Sequence, residues 1–323
     1  MMTFIKLILK KLNVLSLPID VLFSPLTIVS GLWFKVLKFI GLKHFPVTKS
    51  IFFKLGFFPI VNHYYEPRFD FRDYKQKKRK ILGINFQDAF QLDLLRSFSY
   101  QKELISISNN TPKSGKYYYD NGSYPSGDSE CYYSMIRKFQ PSNIIEIGSG
   151  FSTLIAFEAI NKNNQDNLTN TDLICIEPYE MPWLDNLNIK LIREKVENIK
   201  NETFKKLKKN DILFIDSSHI IRPNGDVLYE IFEILPNLNS GVLIHFHDIF
   251  TPFDYPQDWL KEEFRLWNEQ YLLEAFLSYN DSFEVILAMT FMTNQFPKEI
   301  YKAFPVLGKD TKRIPGSFWI RKK

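Results

Sequence analysis

The chain has 323 residues, long enough for about two domains or for one large α/β domain with an extension. With 45% apolar and 24% charged residues, thirty Phe, sixteen Tyr and a net charge of +5, it is neither a miniature stapled fold nor a disordered polymer. Its two cysteines, Cys131 and Cys175, exclude a disulfide framework, and Cys175 lies in the apolar run 173–176 as a buried thiol, which fits a reducing, cytoplasmic compartment.

The excess charge sits entirely at the N-terminus. Residues 1–55 carry eight Lys against one acid, Asp20, a net +7, and the rest of the chain is at −2. The same stretch is apolar, as in Val21 to Phe34. A membrane-crossing helix needs about 18 or more uninterrupted apolar residues, and Pro18, Asp20 and Pro25 are expected to break the run. A cleavable signal peptide is not expected either, because Lys recurs through residue 54 and no small-residue cleavage site follows. Residues 1–61 therefore read as short basic helices with two placements open. Residues 1–55 touch an anionic membrane peripherally, at its inner face, or the helices pack on the protein itself or on a second subunit of a homo-oligomer. Nucleic acid is not an expected partner, since the one dense basic run, Lys75 to Lys80, is short and reads as a solvated linker. Residues 62–114 read as a linker and helical cap, with a polar seam at 62–80 and a Ser/Asn/Gly/Tyr-rich loop at 106–129.

From residue 140 the pattern alternates. Short apolar runs at 143–147, 173–177, 189–192, 211–216 and 241–248 read as strands, separated by helical spacing at 152–160 and 226–235. Several end in polar residues: Glu177, Asp216, and His247 with Asp248. This describes an α/β fold with a Rossmann-like, doubly wound, mostly parallel sheet, preceded by a helical extension, with ligands beyond the carboxyl ends of its strands. The first strand runs into Glu146-x-Gly148-x-Gly150. Glycines there permit a sharp turn and bring bare backbone against a ligand, while the following helix offers its N–H groups. A nicotinamide site would want a third small residue where Thr153 stands, beside Ser149 and Ser152, while Glu146 two residues before the first Gly favours a cationic ligand. Glu177, ending the next strand, suits both hydroxyls of a ribose.

On these residues, 146–153, 175–178, 211–219 and 247–250, the stretch 115–323 resembles the class I S-adenosylmethionine-dependent methyltransferases, and within them bacterial O-methyltransferases of sugars and secondary metabolites. The resemblance implies seven strands with an antiparallel last strand, the later two at 283–288 and 316–321. It implies S-adenosylmethionine held by Glu146, Gly148, Ser149, Gly150, Ser152, Thr153, Glu177 and Asp216. Glu177 stands 27 residues beyond Gly150, so the Asn-rich stretch 161–170 is expected to be an inserted surface loop.

Three of the five His fall at 219, 245 and 247, and alternation points His245 and His247 to one face. Asp216, His247 and Asp248 form a candidate set for one divalent ion (Mg²⁺, Mn²⁺ or Ca²⁺), as in the metal-dependent O-methyltransferases that the chain resembles. A sulfonium methyl is already activated, so the difficulty lies in making an oxyanion. His219 is the expected base, with Asp216 beside it, unless these are structural histidines. The loop Asp248 to Pro256 reads as substrate-shaping, and Leu260, Phe264, Trp267, Tyr271 and Ala275 as the core face of a helix. Tyr117 to Tyr119, Tyr124 and Asp128 either roof the cofactor or acceptor or pack as a loop. The expected function is methyl transfer to a hydroxyl of a small-molecule or glycan acceptor. The alternatives are an NAD(P)-dependent oxidoreductase and a noncatalytic membrane-tethered module.

Overall fold

The computed structural model describes residues 16–60, 64–67, 74–110, 116–166, 168–179 and 181–323, in two compact units, Met1–Tyr74 and Lys75–Lys323. Lys6, Lys10 and Lys11, and parts of the seam at 62–80 and of the loop at 106–129, lie outside the described residues.

In the first unit, α1 (Ser16–Ile40) is one continuous helix, followed by α2 (Pro46–Leu55). This corrects the expectation of a broken apolar run. Pro18 falls in the first turn, where its missing N–H has no partner to lose. Pro25 frees the carbonyl of Val21, and the Ser24 hydroxyl donates to that carbonyl at 2.8 Å. By length and composition, Leu17–Ile40, with a mean hydropathy of 1.5, suffices to cross a membrane. The chain reverses so that Phe34, Phe52 and Phe57 pack in a cluster with centroids 5.4–5.6 Å apart.

The second unit is built on a seven-stranded sheet: β1 (Asn143–Ile147), β2 (Asp172–Ile176), β3 (Lys190–Ile192), β4 (Ile212–Ile215), β5 (Leu243–Phe246), β6 (Phe283–Ala288) and β7 (Phe318–Lys322), in the order β3-β2-β1-β4-β5-β7-β6. Strands β1 to β5 are parallel, and β7 is antiparallel to both β5 and β6. The order reverses between β1 and β4, so the crevice beyond their carboxyl ends is where such a sheet binds ligands. All four residues of β4 and of β5 are buried, as expected of central strands covered on both faces.

Helices α3 (Asp88–Arg96) and α4 (Gln101–Ser106), placed in a linker and cap by the sequence, share the sheet's core through Leu94, Leu95 and Leu104. Helix α5 (Asp128–Phe139) packs on α6 (Phe151–Gln165), which takes in the first half of the Asn-rich stretch. Asn163 is buried and donates to the carbonyl of Ile136, so the expected surface loop shrinks to the residues after Gln165.

The basic run is no free linker. The Arg79 guanidinium is half-buried, donates to Glu274 Oε1 at 2.6 Å and lies 2.8 Å from Asp254, while the backbone N–H of Arg79 donates to the carbonyl of Pro252. It pins the loop 248–256, whose Phe250, Thr251 and Tyr255 are buried, so only the start of that loop is free to meet a ligand. Removing Arg79 strands the buried Glu274 carboxylate. Arg79→Ala should lower unfolding stability by about 2–4 kcal/mol in chemical denaturation. An unchanged midpoint would contradict the pinning role.

Candidate active site

At the carboxyl ends of the strands lies a cavity of about 980 Å³. Its floor is the turn after β1. Gly148 has φ +77, and a Cβ there would lie 1.8 Å from the carbonyl oxygen of Asp216, so only glycine fits. The turn is fixed by Gly148 N–H donating to Ile176 O at 3.0 Å and Asp216 N–H donating to Ile147 O at 2.8 Å. Gly150 is different: its backbone is extended, and a Cβ would meet nothing closer than Met181 at 3.8 Å.

Of the residues expected to hold the cofactor, Gly148, Ser149, Gly150, Ser152, Glu177 and Asp216 line the cavity. Glu146 and Thr153 do not. Both are fully buried behind the turn, where Thr153 Oγ1 donates to Glu146 at 2.6 Å and accepts from Gly150 N–H, and Tyr132 donates to Glu146 at 3.1 Å. The expected contact of Glu146 with a cationic ligand is therefore corrected to a brace for the glycine turn. Burial pushes its pKa up to about 7, against the hydrogen bonds that favour its charged form. Glu177 sits at the lip of β2, accepting from Ser149 N–H at 3.3 Å and Tyr179 N–H at 2.9 Å.

Beyond β4 and β5 the charged groups converge. Ligand atoms of Asp216, His219 and Asp248 lie within 4.8 Å of one another. His219 Nε2 is 3.2 Å from Asp216 and 3.8 Å from Asp248, and its Nδ1 is 2.8 Å from Glu269. His247 Nδ1 is 3.4 Å from Asp216 and 3.7 Å from Asp248, with Nε2 3.9 Å from Asp128. Asp216 and Asp248 of the expected set lie beside both histidines, but the three residues whose ligand atoms gather include His219 in place of the expected His247. Backbone bonds explain why: the carbonyl of His219 accepts from the N–H groups of Asn268 and Glu269, where α9 (Glu269–Leu277) begins. His219 and Asp248 hold φ of +61 and +58, uncommon for residues with side chains and a mark of functional sites.

The electrostatics follow from this crowding. Burial would depress both imidazoles, but hydrogen bonds to Asp216 and Glu269 push the His219 pKa up to about 10, and the charges of Asp248 and Asp216 hold His247 well above its ordinary value. Burial would raise the Asp216 carboxyl, yet His247 and His219 hold it below the usual carboxylate range, whereas burial prevails at Asp248 and raises it. A histidine charged at neutral pH does not accept protons there, so His219 in the free cluster is not the neutral base expected from the sequence. His245, stacked on Phe214 with centroids 4.3 Å apart and bonded to Ser317 at 3.0 Å, is held neutral by burial and is structural.

Sequence reasoning missed Glu269, fifty residues from its partner, and gave Asp128 a place in a roof or loop where the structure sets it 3.9 Å from His247. It also misplaced Trp267, which belongs to no helix core. Residues 262–268 are irregular between α8 (Gln257–Lys261) and α9, and Trp267 faces the cavity with its ring 4.2 Å from His219. Tyr117, Tyr119 and Tyr124 are buried, and of these Tyr124 reaches the cavity, packing on His247 at 4.9 Å.

Residues 145–249 match the family model described as a methyltransferase domain. Over 166 residues the chain is 28% identical to an uncharacterized protein of Archaeoglobus fulgidus, covering 46% of this chain and 74% of that one. Solved structures similar to it include an O-methyltransferase from Bacillus cereus in complex with SAH, at 12% identity and a TM-score of 0.31, over 73% of this chain and 92% of that one. Another is cmcI-D160 with Mg and SAM, at 16% identity and a TM-score of 0.32, over 61% and 71%. The segment matched as a methyltransferase domain runs from within β1 to just past β5, so it takes in the parallel part of the sheet described above.

The two glycines should separate experimentally. Gly148→Ala should abolish calorimetric binding of S-adenosylhomocysteine, while Gly150→Ala should retain binding within about tenfold. Equal losses would contradict the distinction drawn from the backbone.

Proposed function

We propose that this chain transfers the methyl group of S-adenosylmethionine to a hydroxyl of a sugar-like or metabolite acceptor, assisted by a divalent ion. The observation that carries this reading is the cluster Asp216, His219 and Asp248, set at the strand ends in the same cavity as the glycine turn and Glu177. The turn at Gly148 leaves bare backbone for the methionine part of the cofactor, and the Glu177 carboxylate suits the ribose hydroxyls.

The donor set fits a dication. Four carboxylates, Asp128, Asp216, Asp248 and Glu269, face two imidazoles, so negative charge remains even with both rings protonated. Mixed oxygen and nitrogen donors suit Mg²⁺ or Mn²⁺. When bound, the ion supplies positive charge that favours the alkoxide form of an acceptor hydroxyl. Asp216, Asp248 and, once its proton is displaced, His219 Nε2 would hold it, and Glu269 fixes the ring of His219 through Nδ1, as carboxylates do behind metal-binding histidines. Opposite the turn, Trp259 and Trp267 flank the guanidinium of Arg265, at 4.3 and 4.7 Å from their rings. Flat indole faces beside a charged fork suit the apolar face and hydroxyl edge of a sugar ring.

Electron paramagnetic resonance of Mn²⁺ tests the ion without knowledge of the acceptor. Stoichiometric binding is expected, lost in Asp216→Asn with Asp248→Asn while circular dichroism is unchanged. Transfer of labelled methyl into glycan or metabolite extracts should collapse in EDTA and return with Mg²⁺ or Mn²⁺. Undiminished transfer in EDTA would remove the ion from the account, and absence of S-adenosylhomocysteine binding would remove methyl transfer.

A further inference from the structure

The N-terminal unit carries a surface that the methyl-transfer reading does not use. Along α1, Asp20, Ser24, Thr27, Gly31, Lys35 and Lys38 recur every three or four residues, so they fall on one line down the helix. Apart from Ser30, the rest of the circumference is apolar and exposed over most of its length: Val29, on the side opposite the line, is 63% exposed, and Leu22 is 72% exposed. Among the described residues, its apolar side chains find partners toward the C-terminal end, at Trp33, Leu37 and the Phe34 cluster. Lys35, Lys38, Lys43, Lys49 and Lys54 follow, and after Asp20 the next acid is Glu66.

We propose that α1 lies in the plane of an anionic lipid surface, its polar line toward water, its apolar arc among the acyl chains and its lysines at the phosphates. A wide apolar arc with one polar line and a basic flank is what a helix in the interface needs. A second copy of the chain fits poorly, because two lysine-rich faces, each with one acid at Asp20 and with Glu66 already paired to Lys38, repel. Crossing also fits poorly. It would turn the line from Asp20 to Thr27 into hydrocarbon, and lysines stand on both sides of the apolar stretch, with Lys6, Lys10 and Lys11 before it in sequence, whereas positive charge favours one side of a membrane.

The test uses the full-length protein floated with vesicles of phosphatidylcholine, alone or with an equal part of phosphatidylglycerol. Binding is expected to the anionic vesicles, weakened by salt. Lys35→Glu with Lys43→Glu, and separately Val29→Asp, should each weaken binding about tenfold or more without changing S-adenosylhomocysteine binding. On bound protein a water-soluble maleimide should label Thr27→Cys and spare Val29→Cys, the native Cys131 and Cys175 being buried. Protection of both introduced cysteines would overturn the proposal in favour of a crossing helix. Failure to bind vesicles, with dimers in sedimentation, would overturn it in favour of a second copy, and failure to bind without dimers would overturn it outright.

Discussion

The site rests on one close approach, that of the backbone at Gly148 to the carbonyl of Asp216. The ends of β1 and β4 meet so tightly that no side chain fits between them, and the bonds from Gly148 to Ile176 and from Asp216 to Ile147 tie three strand ends into one ledge. That ledge puts the turn suited to a cofactor and the first acid of the candidate metal cluster a few ångströms apart. The candidate groups at the strand ends flank it: Glu177 one strand to one side, His247 and Asp248 one strand to the other.

Around the ledge, charge is concentrated well beyond what a folded core tolerates without compensation. Carboxylates and imidazoles stand 2.8–3.9 Å apart, and two non-glycine residues are held at positive φ. Such an arrangement costs stability by itself and is stabilised by a ligand of opposite charge, which is why the cluster reads as a receiving site rather than as a set of structural ion pairs. The contrast with His245 is instructive. It lies two residues from His247 on the same face, yet aromatic rings enclose it and Ser317 bonds its Nε2, with no carboxylate against either nitrogen, so burial leaves it neutral.

Much of this was legible in the sequence because parallel strands write themselves as short apolar runs with polar ends. The places of β1, β2 and β4 to within a residue, the turn at Gly148 and the acids at the strand ends followed from local pattern alone. What was not legible depends on contacts between distant segments. Glu146 looked like a ligand group because its strand position resembles one, but alternation faces it away from the cavity toward Tyr132 and Thr153. Glu269 looked like an ordinary acid in a first helical turn, and only the path of the chain after His219 brings it to the imidazole. Pro25 suggested a broken helix because the local rule omits the neighbouring hydroxyl that takes over the freed carbonyl. Trp267 suggested core because spacing alone does not reveal that the helix stops short of it.

The most direct measurement of the central claim, that one ledge serves cofactor and chemistry together, is a crystal structure with S-adenosylhomocysteine bound. The account predicts the ribose hydroxyls on the Glu177 carboxylate, the homocysteine over the backbone of Gly148, and the sulfur directed toward Asp216, His219 and Asp248. A ligand seated elsewhere, or one whose sulfur faces away from that cluster, would contradict it.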